Sequence, residues 1–259
     1  MSGTPLRAST TFSTVSAEEA TLDEKAAEFA DTLTDLTRGV LGQDSPRFSA
    51  LNVGNRIRVA PLAADGRSMR IPIKIDGERC LSLHVQHFCC WDGPNMYLAA
   101  DRADVHVFFE GVQDPLLRYE YLRHSKNPPG AHLQVHAHRD EMAYLLRLAE
   151  KKKGRPAAMM RKGKLPRLSE MHLPVGGHRL RPALEDVLLL LVREFAIDVE
   201  DGWDSVLDQH LRRWRVLQLK SAVRDAHESA AETLREMGYT VEPPKDMEPQ
   251  RVDSRLYWP

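Results

Sequence analysis

Apolar residues recur every three or four positions from Leu22 through Ala26, Phe29, Leu33 and Leu36 to Val40. That period predicts a helix with one apolar face. Ser16-Ala17-Glu18-Glu19 reads as a capping box at its start, and Gly42 as its terminator. From about residue 55 to 138 the period falls to two, the signature of strands. Arg70 to Ile75, an Asp76-Gly77 turn and Cys80 to Phe88 form a hairpin signal. Met96–Ala99, Val105–Phe109, Leu116–Leu122 and Ala131–His138 continue the alternation across short gaps, which predicts an antiparallel meander.

After His138 the helical period returns. Met142, Leu145, Leu146 and Ala149 fit a short helix. A second, apolar almost all round, is expected from Pro182 to about Ile197. A third runs from about Asp204 to Met237, with Leu207, Leu211, Trp214, Leu217 and Leu219 near its start. The fold class is α+β: an N-terminal helix, an antiparallel sheet, then C-terminal helices. One domain is expected over residues 16–238. Residues 1–15 read as a disordered N-terminus and 239–259 as a loosely held tail.

Composition adds constraints. The chain has 259 residues, 42% apolar and 28% charged, with a formal net charge of −1. Any attraction to nucleic acid must therefore come from a local patch. The cysteines, Cys80, Cys89 and Cys90, are odd in number and lack a CxxC spacing, which argues against a disulfide framework or a thiolate zinc site. A reducing, cytoplasmic setting is expected. Met1 to Val15 has no apolar core of a secretory signal, and the apolar run Val187–Val192 is too short to span a bilayer.

The segment His132-Leu-Gln-Val-His-Ala-His138 carries the most chemistry. In a strand, Ala131, Leu133, Val135 and Ala137 point into a core. His132, Gln134, His136 and His138 share the other face, with neighbours roughly 7 Å apart. Such a face serves acid–base catalysis, since imidazole both accepts and donates protons near neutral pH. It also serves zinc, with His132, His136 and His138 as ligands. No HExxH spacing accompanies it, and metal-free catalysis by His136 and His138 is the preferred expectation.

Flanking stretches extend the site. Tyr119, on the preceding strand, is a further catalytic candidate. His172 precedes Gly176-Gly177 and Arg179, with Arg181 close behind; a glycine turn ahead of a helix N-terminus suits an anion. Between Lys151 and Arg167 lie eight basic residues and no acidic one. Lys151, Lys152, Lys153, Arg155, Arg161, Lys162 and Lys164 are the expected phosphate or RNA contacts, with Arg179 and Arg181.

Taken in order, Arg118-Tyr119-Glu120 with His124, His136-Ala137-His138 and Leu184-Glu185-Asp186-Val187-Leu188 resemble the TumE-like toxins of bacterial toxin–antitoxin pairs. The family's aspartate is Glu120 here. The resemblance covers about residues 118–190. It implies an intracellular growth-inhibiting toxin acting on RNA and neutralised by a helix-turn-helix partner. A second pattern, Asn127 to Gly130 followed by the histidine strand, resembles the histidine-triad nucleotide hydrolases, with Gln134 where the central histidine stands. The leading expectation is a histidine-dependent enzyme cleaving a phosphodiester of RNA or a nucleotide. The alternative is a non-catalytic module that docks a partner through its long C-terminal helix.

Overall fold

The computed structural model describes residues 20–92, 95–125, 127–136, 161–163, 173–174 and 181–244. Helix α1, Leu22–Leu41, opens on a capping box made by Thr21 and Glu24. Glu24 Oε2 accepts from the Thr21 N–H at 2.7 Å, and Thr21 Oγ1 accepts from the Glu24 N–H at 3.2 Å. The box expected at Ser16 to Glu19 lies outside the described residues; the helix starts after Thr21. Gly42 ends it as expected, at φ 101°, with its N–H bonded to the Arg38 carbonyl.

Eight strands follow: β1 Phe48–Val53, β2 Arg56–Pro61, β3 Ile71–Ile75, β4 Glu78–Trp91, β5 Leu98–Phe109, β6 Pro115–Leu122, β7 Ala131–Val135 and β8 Leu173–Pro174. They form one antiparallel sheet in the order β1-β2-β4-β5-β6-β7-β8, with β3 paired to the same edge of β4 as β2. β4 through β7 are the expected meander. The sheet begins at Phe48, ahead of the predicted start, because β1 buries only its first residue and so shows no alternation. The expected segments Met96–Ala99 and Val105–Phe109 are joined in a single strand, β5, which starts at Leu98 and whose middle carries Asp101, Arg102 and Asp104.

The Asp76-Gly77 turn is as predicted, with both residues at positive φ, 51° and 79°. The Asp198 carboxylate accepts from the Asp76 N–H at 2.9 Å and the Gly77 N–H at 2.7 Å. It thereby ties the hairpin to the segment after the next helix. Asp198→Ala is expected to cost about 1–2 kcal/mol in urea unfolding, since two charge-assisted bonds near the surface are lost.

Three helices close the described chain: α2 Leu184–Phe195, α3 Trp203–Asp225 and α4 His227–Glu236. α2 begins two residues after Pro182, where the Asp186 carboxylate accepts from the Ala183 N–H at 2.9 Å. The expected helix from Asp204 to Met237 is two helices that meet at Ala226, with φ −137° and ψ 50°. No glycine or proline marks that break. None of the described helices is long and apolar enough to cross a membrane.

The core lies on one side of the sheet. Leu33, Leu36 and Val40 of α1 meet Ile57 and Val59 of β2, Leu83 and Val85 of β4, and Val105 and Val107 of β5. Leu184, Leu188 and Leu191 of α2 complete it with Leu207 of α3. Those positions on β4 and β5 are odd-numbered. Their even-numbered neighbours face the other way, and there the chemistry collects.

Candidate functional site

Register places the even-numbered residues of four strands side by side. One rung runs Gln86, Asp104, Glu120, His132; the next runs His84, His106, Arg118, Gln134. Each member is two residues from its strand neighbour and so shares its face. The result is a polar layer across the centre of the sheet, opposite the helices.

Two networks fill the first rung. The Asp104 carboxylate accepts from Arg102 Nε at 2.8 Å and Gln86 Nε2 at 2.7 Å. Glu120 bridges two imidazoles, with Oε1 2.9 Å from His106 Nε2 and Oε2 3.2 Å from His132 Nε2. Hydrogen bonds from His106 first, and His132 second, hold the Glu120 carboxyl well below the usual carboxylate range. His132 Nδ1 lies 2.8 Å from the Pro129 carbonyl, so acceptors face both nitrogens of this ring.

The second rung is less satisfied. The His84 and His106 rings stack obliquely, with centroids 5.6 Å apart. Burial, and then His106, push the His84 imidazole below its ordinary value. Arg118 Nε is buried without a hydrogen-bond partner among the described residues. So is Nε2 of His136, the residue just past β7. Desolvation, and then the Arg118 charge, lower the His136 pKa from 6.5, which keeps the ring neutral at neutral pH. The side chains of His106 and Glu120 retain 15% and 18% exposure, so this face is reached from outside.

Within β7, His132 and Gln134 share the expected polar face, but that face is not open. His132 is fully buried and Gln134 nearly so. A single strand cannot reveal that three neighbouring strands bring polar side chains to the same layer. His132 is enclosed, with its Nε2 3.2 Å from the Glu120 carboxylate. The strand ends at Val135, and the His136 N–H bonds to the Leu116 carbonyl at 2.9 Å.

Strand alternation puts Tyr119 on the opposite, helix-packed face, across from Val105 and Leu133. That corrects its grouping with the histidines. Arg181 departs likewise: its guanidinium lies over the Tyr121 ring at 4.0 Å and the Trp214 ring at 5.1 Å, on the helix side. Arg161 and Lys162 are exposed. His138, Lys151, Lys152, Lys153, Arg155, Lys164, His172, His178 and Arg179 lie outside the described residues, as does the helix expected at Met142 to Ala149.

His84, Asp104 and His106 were not singled out from the sequence. Their signal was present as two further period-two polar sets, Ser82-His84-Gln86 and Arg102-Asp104-His106. Ligand atoms of Asp104, His106 and Glu120 lie within 4.8 Å of one another, close enough to hold a cation. Both carboxylates already accept from Arg102, Gln86 and the imidazoles, so a metal would have to displace those bonds. Zinc bound by His132, His136 and His138 meets a direct obstacle, since both His132 nitrogens are engaged.

Fold and site define an α+β protein with a histidine–carboxylate layer on the face of an antiparallel sheet opposite its apolar core. No protein-family model matches the chain, and no curated protein or solved structure is significantly similar to it.

Proposed function

We propose that the polar sheet face is a metal-independent acid–base site that cleaves a phosphodiester of RNA or of a nucleotide. The observation that carries this reading is the pair of buried, unpartnered nitrogens, His136 Nε2 and Arg118 Nε. A buried donor and a buried imidazole nitrogen left without partners cost free energy unless a ligand meets them. An oxyanion with an ionisable hydroxyl meets both.

In RNA the 2′-hydroxyl is the nucleophile. Neutral His136 takes its proton as the O2′–P bond forms, and Arg118 Nε–H donates to a non-bridging oxygen of the phosphorane. The P–O5′ bond breaks, and a second imidazole gives the leaving oxygen a proton. His106 fills that role among the described residues, its Nε2–H fixed by Glu120 as a carboxylate fixes the histidine of a catalytic triad. The products are a 2′,3′-cyclic phosphate and a 5′-hydroxyl. In a bacterial host such an activity would inhibit growth, in keeping with the toxin resemblance and its helix-turn-helix partner.

The test uses purified protein, single-stranded RNA and excess chelator. His136→Ala and Arg118→Ala are each expected to lower cleavage by about 100-fold or more. The acid limb of the rate profile should fall below pH 6.5, the ordinary imidazole value from which His136 is lowered. Intact RNA with the wild type, and equal growth of hosts expressing wild type or His136→Ala, would sink the reading. Stoichiometric metal that is lost in Glu120→Gln would overturn its metal-free part.

One observation favours the docking alternative. Val216, Leu219 and Val223 are 44–63% exposed and spaced three and four apart on α3. Growth effects that survive His136→Ala but vanish with Leu219→Asp would select it.

A further inference from the structure

Behind the sheet, on the face away from the histidine layer, α1 and α3 enclose a cavity of about 550 Å³. Its size falls in the range of small-molecule sites, ~300–1,000 Å³. Phe29 of α1, Ala103 and Val105 of β5, and Trp214 of α3 line it. The charged groups around it are largely matched. Arg213 pairs with Glu28 at 3.4 Å, Arg181 lies on Tyr121 and Trp214, and Arg224 lies over Tyr97 at 4.2 Å.

Two neutral groups in the lining are not matched. His87 Nε2 and Gln218 Oε1 are both shielded from solvent and have no hydrogen-bond partner among the described residues. The His87 ring is held edge-on by Phe29, with centroids 5.1 Å apart at 76°. Burial pushes the His87 imidazole down to about 4, so it is uncharged at neutral pH. Glu185, at the start of α2 and buried in this wall, is pushed up to about 7 by burial, which reduces its negative charge at neutral pH.

We infer that this cavity binds a small uncharged organic molecule with an apolar, ring-sized body and a hydroxyl or N–H group that meets the Gln218 and His87 side chains. The apolar walls favour the body, and the two orphaned neutral groups favour a polar handle without charge. A buried ion would gain no counter-charge from either group and would lose its hydration. The cavity adjoins the histidine layer, since Glu120 and His132 also border it, but His87 and Gln218 are not members of that layer.

The probe is N-phenyl-1-naphthylamine, which is uncharged and carries one N–H. Energy transfer from Trp214 reports its binding to the full-length protein. Expected is saturable one-to-one binding, at least tenfold tighter than that of the anionic 1-anilinonaphthalene-8-sulfonate. Ala103→Phe fills the cavity and should abolish binding while leaving RNA cleavage unchanged. Gln218→Leu sits on the half-exposed side of α3 and keeps the fold intact; it should weaken the probe about 3- to 10-fold, the worth of one hydrogen bond. Unfolding curves of both variants show whether the fold is kept. Non-saturable binding, binding indifferent to Gln218→Leu, or tighter binding of the sulfonate overturns the inference.

Discussion

Glu120→Ala is expected to destabilise the protein by about 3–5 kcal/mol at pH 7 and to abolish RNA cleavage. Removing one member of a buried, hydrogen-bonded charge cluster leaves its partners without compensation, which costs far more than the cluster's net worth. Here the partners that lose the carboxylate are the fully buried His132 and the mostly buried His106. Glu120→Gln retains an acceptor oxygen and the side-chain volume, so it should cost less stability while still misorienting His106.

The pH dependence identifies the cause. The Glu120 carboxyl is held below its ordinary 4.5 in the folded chain. The unfolded chain therefore takes up the proton first as pH falls. Stability from Glu120 is complete above about 4.5 and declines below it. Urea titrations at pH 7 and at pH 4 or below should show the wild type losing this contribution and Glu120→Gln having none to lose. Parallel loss in both proteins would exclude Glu120 as the source.

The second large effect begins nearer neutrality and belongs to His87. Its pKa falls from 6.5 to about 4 on folding. Between those values the unfolded chain binds a proton that the folded chain refuses, so stability decreases as pH drops from 6.5 toward 4. At ~1.4 kcal/mol for each tenfold change in proton affinity, the full loss is about 3 kcal/mol. Below about 4 both states are protonated and the loss from this group stops. His87→Leu removes the titration together with an unpartnered buried nitrogen. It is expected to match or exceed the wild type at pH 7 and to lose less stability than the wild type between pH 6.5 and 5, the remainder belonging to His84 and His136, as read by urea midpoints. An unchanged slope between pH 6.5 and 5 would assign the acid sensitivity to other histidines.

Much of the fold was readable because local chemistry and tertiary burial agree. The apolar face of α1, the Asp76-Gly77 hairpin and the β4–β7 meander each follow from period and turn residues. The misreadings share a cause. β1 has outward side chains that carry no alternation, and β5 was split because the charged residues at its centre face the polar layer. Alternation assigned His132 and Gln134 to one face correctly, but it carries no information about what lies across that face. Glu120, the residue that organises the site, is twelve positions from His132 and opposite it only through the β6–β7 register.

That register also guards the topology during folding. Had β5 or β6 paired with its neighbour one residue out of step, Asp104, His106 and Glu120 would enter the helix-packed interior among Val85 and Leu188. A slip of β5 would bring Val105 into the polar layer, and a slip of β6 would bring in Tyr119. An intermediate with such a one-residue slip would carry charge in the apolar interior, so the native register is favoured by the penalty on that alternative.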